Sequence, residues 1–138
     1  MHPAEIKTEL APLIERFRTI HGCHTVILYG SMARGDFNEA SDIDLIGFAE
    51  SGKAFRDTEI APLQRPVDGF VYPNEAVVGK EGDFLHLLGG RVLIEGDDHF
   101  GTRLLERVAE VHAKGPEPYP ASEAKAARDW VDRKSTRL

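Results

Sequence analysis

Apolar residues at Ile6, Leu10, Leu13, Ile14 and Phe17 recur with the spacing of one helical face and predict an amphipathic helix from Ala4 to Ile20. Pro3 suits its first turn, and Gly22 stands just past its end. The pattern then changes to an unbroken β-favouring run, Thr25-Val26-Ile27-Leu28-Tyr29, which predicts a buried strand stopping at Gly30-Ser31. A short helix is expected from Ser31 to about Gly35, and a polar connection from Asp36 to Ser41. Asp42-Ile43-Asp44-Leu45-Ile46-Gly47-Phe48 alternates carboxylate with aliphatic before turning fully apolar, and predicts a second strand.

Between Ala49 and Gln64 the pattern is poor, and loop and helix are expected there. Pro66 to Pro73 predicts a third strand bracketed by prolines, with Val67, Gly69 and Val71 alternating against Asp68, Phe70 and Tyr72. Asp83 to Leu88 reads as a short helix ended by Gly89-Gly90, and Arg91 to Glu95 as a short fourth strand. Phe100 to Ala113 predicts a helix with Leu104, Leu105, Val108 and Val111 as its apolar stripe, and Asp97-Asp98 is placed to cap it. Gly115-Pro116-Glu117-Pro118-Tyr119-Pro120 excludes helix and central strand. The expected organisation is therefore a domain over residues 1–114, a Pro-rich linker over 115–120 and a C-terminal helix over 121–138. About four strands are flanked by helices, an α/β (α+β) chain.

Composition narrows the function classes more than the fold. At 138 residues, with 41% hydrophobic and 29% charged side chains, the chain is long enough for one domain with its own core. A net charge of −6 excludes a protein that wraps duplex nucleic acid by charge alone, and no strong nucleic-acid binding is expected. The sole cysteine, Cys23, has no internal disulfide partner and is expected as a small buried thiol. No run approaches the ~18 apolar residues of a membrane span, and the first residues lack the pattern of a signal peptide. A soluble cytoplasmic protein without membrane association is expected.

The chemistry concentrates in three short signals at consecutive strand ends: Gly30-Ser31, Asp42-x-Asp44 and Asp68. Side chains two apart on a strand share a face, which puts Asp42 and Asp44 on one side with Cα atoms roughly 6.6 Å apart. Asp68 on a neighbouring strand, about 4.8 Å away laterally, completes a cluster if it is in register. Three close carboxylates repel one another, and a divalent cation removes the conflict. Oxygen-only ligands select Mg²⁺ or Mn²⁺, which use one or two carboxylates and leave room for phosphates. A glycine between strand and helix lets backbone approach an anion, and the Ser31 hydroxyl can donate to it. Arg34 has two readings, reaching a triphosphate or pairing structurally with Asp36 or Asp42. His21-x-x-His24 lacks further nitrogen or sulfur ligands for a metal, Tyr29 is assigned to the core, and Trp130 to docking of the last segment.

The stretch Leu28-Tyr29-Gly30-Ser31-Met32-Ala33-Arg34-Gly35, continuing through Ser41-Asp42-Ile43-Asp44-Leu45-Ile46, closely resembles the signature of the minimal nucleotidyltransferases. These are small members of the DNA polymerase β-like superfamily, to which kanamycin nucleotidyltransferase and the poly(A) and CCA-adding enzymes also belong. The shared pattern is an apolar strand, Gly-Ser, Ala-Arg-Gly, about ten residues between Ser31 and Asp42, then Asp-x-Asp and further apolar residues. The likeness covers about residues 20–75.

The resemblance implies a mixed sheet with helices packed on it, and metal-dependent transfer of a nucleoside monophosphate from a nucleoside triphosphate with pyrophosphate leaving. Gly30 and Ser31 would bind phosphate, with Arg34 a further nucleotide contact. Asp42 and Asp44 would be metal ligands, and Asp68 the third carboxylate, which helps activate the acceptor hydroxyl. The expected cofactor is Mg²⁺ (or Mn²⁺) and the expected substrate ATP, with AMP passing to a hydroxyl of a protein or small molecule. The acceptor surface is expected from a partner, such as a HEPN-type toxin protein, or from a second subunit in a homo-oligomer. Two other readings stay open: an antitoxin-like module that neutralises such a toxin by contact, and an aminoglycoside-type nucleotidyltransferase.

Overall fold

The computed structural model describes residues 3–35, 42–60 and 66–115. Strands β1 (Thr25–Tyr29), β2 (Ile43–Ala49), β3 (Phe55–Asp57), β4 (Val67–Pro73) and β5 (Arg91–Ile94) form one sheet in the order β3-β4-β2-β1-β5. β2 and β4 run parallel, and the other three pairings are antiparallel, so the sheet is mixed. Helices α1 (Pro3–Thr19), α2 (Ser31–Arg34) and α3 (Phe100–Lys114) complete the elements together with two 3-10 segments, Asn74–Ala76 and Glu81–Leu87.

The period-two pattern of the strands is what lets the sheet bury both faces. One face sends Val26, Leu28, Ile43, Leu45 and Val71 against Leu10, Leu13 and Phe17 of α1 and Met32 and Ala33 of α2. The other sends Ile27, Ile46 and Phe48 against Phe84 and Leu87 of the second 3-10 segment and Leu104 and Val108 of α3. Phe17, fully buried, lies across β2 and β4 where both lack a side chain: a Cβ on Gly47 would stand 2.7 Å from Phe17 Cδ2, and one on Gly69 2.8 Å from Phe17 Cζ. These two glycines admit the helix to the sheet.

Three sequence expectations need correction. Residues Ala49 to Gln64 were expected as loop and helix, yet Phe55–Asp57 forms β3, an edge strand on β4, which makes five strands rather than about four. The segment expected as a helix near Asp83 to Leu88 is a 3-10 segment kinked at Phe84; its spacing of three puts Phe84 and Leu87 on one buried side. The first turn of α3 is satisfied chiefly by Glu95, whose Oε1 accepts from Thr102 N at 2.8 Å and whose Oε2 accepts from the Thr102 hydroxyl at 2.7 Å. Asp98 accepts only a longer 3.3 Å bond from Phe100 N. Cys23 is buried, and that burial pushes its thiol up to about 12. The polar connection from Asp36 to Ser41 and the linker and C-terminal helix beyond Gly115 lie outside the described residues. Among those described, no helix is long and apolar enough to cross a membrane.

β3 is anchored by Asp57, which reaches the α1 side of the sheet. Its carboxylate accepts from Arg16 Nε at 2.7 Å and Arg16 Nη2 at 3.0 Å, from Glu59 N at 3.0 Å, and pairs with His21 Nε2 at 2.6 Å. The Arg16 bond, helped by His21 and the backbone donor against the opposing effect of burial, holds the Asp57 carboxyl well below the usual carboxylate range. A depressed folded value contributes stability above the unfolded pKa of roughly 3.9, lost as pH falls from there through the folded value. Asp57→Asn is therefore expected to cost about 2 kcal/mol at pH 7. In urea titrations its deficit should shrink as pH falls below about 4; a deficit that does not change with pH would contradict this assignment.

Candidate active site

The end of β1 and the starts of β2 and β4 meet at one margin of the sheet. In the parallel pairing of β2 and β4, Asp44 stands directly beside Asp68, and in the antiparallel pairing of β1 and β2 it stands beside Tyr29. Asp42 precedes β2 by one residue and is exposed; its charge acts on Asp44. The register condition posed by the sequence is met for Asp44 and Asp68, which stand side by side, while Asp42 acts on Asp44 through its charge. Ile43 N donates to Pro66 O at 2.9 Å, which locks the starts of β2 and β4 together.

Gly30 closes the margin on the β1 side. Its backbone has φ 77° and ψ −157°, a conformation essentially confined to glycine, and a Cβ there would lie 2.5 Å from Asp44 Oδ2. Ser31 is half-buried and opens α2. The Gly30 carbonyl accepts from Ala33 N at 3.1 Å and Arg34 N at 3.2 Å, and Gly35, at φ 83°, ends the turn. Arg91 Nε donates to Ala33 O at 2.9 Å and so ties this turn to β5.

Burial raises the pKa of Asp44, and the charges of Asp68 and Asp42 raise it further, while Arg34 opposes them. Arg34 thus lies where it favours the ionised Asp44, and Asp36, the other side of its structural reading, lies outside the described residues. Burial first, then the charges of Asp44 and Asp68, push the Tyr29 hydroxyl upward, so Tyr29 is a neutral wall of the site. Its ring meets His86 edge-on, with centroids 5.3 Å apart. His21 pairs with Asp57, while His24 bonds Thr25 and Asn74. Neither histidine belongs to the site.

One contact was not foreseen. Arg56 Nε, on β3, donates to Asp68 Oδ1 at 2.7 Å, and its guanidinium carbon lies 5.9 Å from the centroid of Phe70. Arg56 escaped sequence reading because Phe55-Arg56-Asp57 carries no apolar alternation. Arg91 escaped because a strand-initial arginine is unremarkable until its carbonyl partner is seen.

Among the described residues no three His, Cys, Asp or Glu side chains are grouped as a ready metal cage. The donor set nevertheless fits a hard divalent cation, because Mg²⁺ takes one or two carboxylates and completes its shell with phosphate and water. Burial and the charges of Asp68 and Asp42, which raise Asp44, are effects that a bound cation would offset. Two concavities among the described residues, of about 300 and 430 Å³, adjoin Val77 and Phe100 and adjoin His21 and Ser51. They adjoin the far ends of β2 and β4, and neither is lined by Asp42, Asp44 or Asp68.

Among known families, a nucleotidyltransferase domain matches residues 10–84, which runs from within α1 past β4 and includes Gly30, Ser31, Arg34, Asp42, Asp44 and Asp68. No curated protein matches the chain significantly.

Proposed function

Because the chain belongs to the nucleotidyltransferase domain family, whose reaction is transfer of a nucleotidyl group from a nucleoside triphosphate, we propose that Asp42, Asp44 and Asp68 form its catalytic centre. In this reading it moves AMP from ATP to an acceptor hydroxyl with Mg²⁺ or Mn²⁺. The observation that carries the reading is the side-by-side register of Asp44 and Asp68 under the glycine turn at Gly30.

Asp42 and Asp44 would hold the cation, and Asp68 would share it. Such a cation, when bound, neutralises charge on the triphosphate and polarises the α-phosphate. Gly30 gives the nucleotide backbone-close access beside Asp44, and Ser31 donates its hydroxyl to a phosphate oxygen. Arg34 adds positive charge on the same side. Asp68 orients the acceptor hydroxyl and takes up its proton as the oxygen attacks the α-phosphate and pyrophosphate departs. Tyr29, held neutral, excludes water from one wall. Most of the acceleration would come from positioning and charge compensation.

A helical HEPN-type toxin protein is the proposed acceptor-bearing partner. ATP labelled on the α-phosphate or on the γ-phosphate, supplied with Mg²⁺ or Mn²⁺ to a lysate of the source cells, tests the reading. Only the α-label should be transferred, and Asp42→Ala/Asp44→Ala should lose it. A double variant that still neutralises a toxin, beside a wild type that transfers no label and binds no nucleotide, would favour the contact-only module.

A further inference from the structure

Asp68 is bonded to an arginine of the edge strand β3. β3 pairs only with β4, and its register sets Arg56 opposite Phe70, two residues along from Asp68 on the same face. The guanidinium is held from two directions, by the 2.7 Å bond from Nε to Asp68 Oδ1 and by its place near the Phe70 ring. Asp57, the next residue, fixes β3 from the opposite side of the sheet through Arg16 and His21, so Arg56 is carried by an anchored strand. We infer that Arg56 is a positioning residue that competes with the divalent cation for Asp68 and so sets how tightly the third carboxylate joins the metal site.

The inference rests on the nucleotidyl-transfer reading and adds a positioning residue to it. Asp68 Oδ1 is already engaged by Arg56 Nε at 2.7 Å, which leaves Oδ2 as the oxygen open to a divalent cation. A fixed guanidinium and a divalent ion repel each other across one carboxylate. Cation affinity at Asp68 is therefore held down until other anions, such as the phosphates of a nucleotide, offset the charge of Arg56. The same contact restrains the Asp68 side chain.

Mn²⁺ binding to the full chain, followed without nucleotide by electron paramagnetic resonance and titration calorimetry, reads this directly. Arg56→Gln should tighten Mn²⁺ binding roughly three- to fivefold, with Arg56→Lys falling between it and wild type. Adding Asp68→Asn to Arg56→Gln should remove the gain, since the two residues act as one pair. Unchanged or weaker Mn²⁺ binding by Arg56→Gln overturns the role given to Arg56. Absence of Mn²⁺ binding from both wild type and Arg56→Gln would instead remove the metal-site reading on which it rests. Circular dichroism on each variant checks that β3 is intact; should Arg56→Gln unfold, Arg56→Lys alone carries the test, and a Lys variant with wild-type affinity would count against the proposal.

Discussion

Asp44→Asn is expected to lower nucleotidyl transfer by at least roughly 10³-fold, because it removes a metal-binding charge at the centre of the cluster while keeping the side-chain shape. The same substitution should make the metal-free protein more stable. Burial and the charges of Asp68 and Asp42 raise the Asp44 pKa, so the folded state holds this proton more tightly than the unfolded chain. A raised acid costs stability as pH climbs through its folded value, and the cost is absent at low pH, where Asp44 is protonated in both states. Thermal melts at pH 7.5 in a chelator should therefore show Asp44→Asn above wild type, with the gap closing toward pH 4. Adding Mn²⁺ should raise the wild-type melting temperature and leave the variant's nearly unchanged. Retained activity, or a variant melting below wild type in chelator, would refute the account of the site as a carboxylate cluster built for a cation.

That trade between stability and activity explains why the site was readable from the chain. A strand that opens Asp-Ile-Asp and then buries Leu45, Ile46 and Phe48 breaks a local rule at one place only, and such a break marks function. The glycine turn was legible for a related reason: β1 is an unbroken apolar run, so its stop at Gly30-Ser31 was sharp. The register of Asp68 could only be posed as a condition, since pairing between β2 and β4 is decided by contacts across the sheet.

What stayed hidden was held by tertiary contacts rather than by pattern. β3 has three residues, of which Phe55 and Arg56 are exposed; it exists because Asp57 is drawn into Arg16 and His21 and because β4 offers an edge. No periodicity records that. Arg56 was lost with its strand, and with it the guanidinium bonded to Asp68. Glu95 was missed as the partner of Thr102 because a residue seven positions away was not weighed against the nearer Asp97-Asp98 pair. The apolar stripe of α3 was visible, and so was its burial: Leu104 and Val108 lie in the core where the spacing put them.

Gly30→Ala tests whether the turn serves the carboxylates or merely joins β1 to α2. An alanine at φ 77° and ψ −157° is strained by about 1–3 kcal/mol, which lowers stability wherever such a residue sits. At Gly30 the methyl also stands 2.5 Å from Asp44 Oδ2, so the carboxylate has to turn away from the margin it shares with Asp68. Activity should then fall by about 10²-fold, the scale set by displacing a reacting group by an ångström or so. Gly79→Ala is the control, for its φ is 78° and a Cβ there meets nothing within 4 Å. It should lose some stability through its positive φ and keep its transfer rate. Mn²⁺ affinity should weaken in Gly30→Ala and not in Gly79→Ala, which separates a displaced ligand from a loosened fold. Equal losses of activity in the two variants would mean that strain alone is felt, and that Gly30 has no part in placing Asp44.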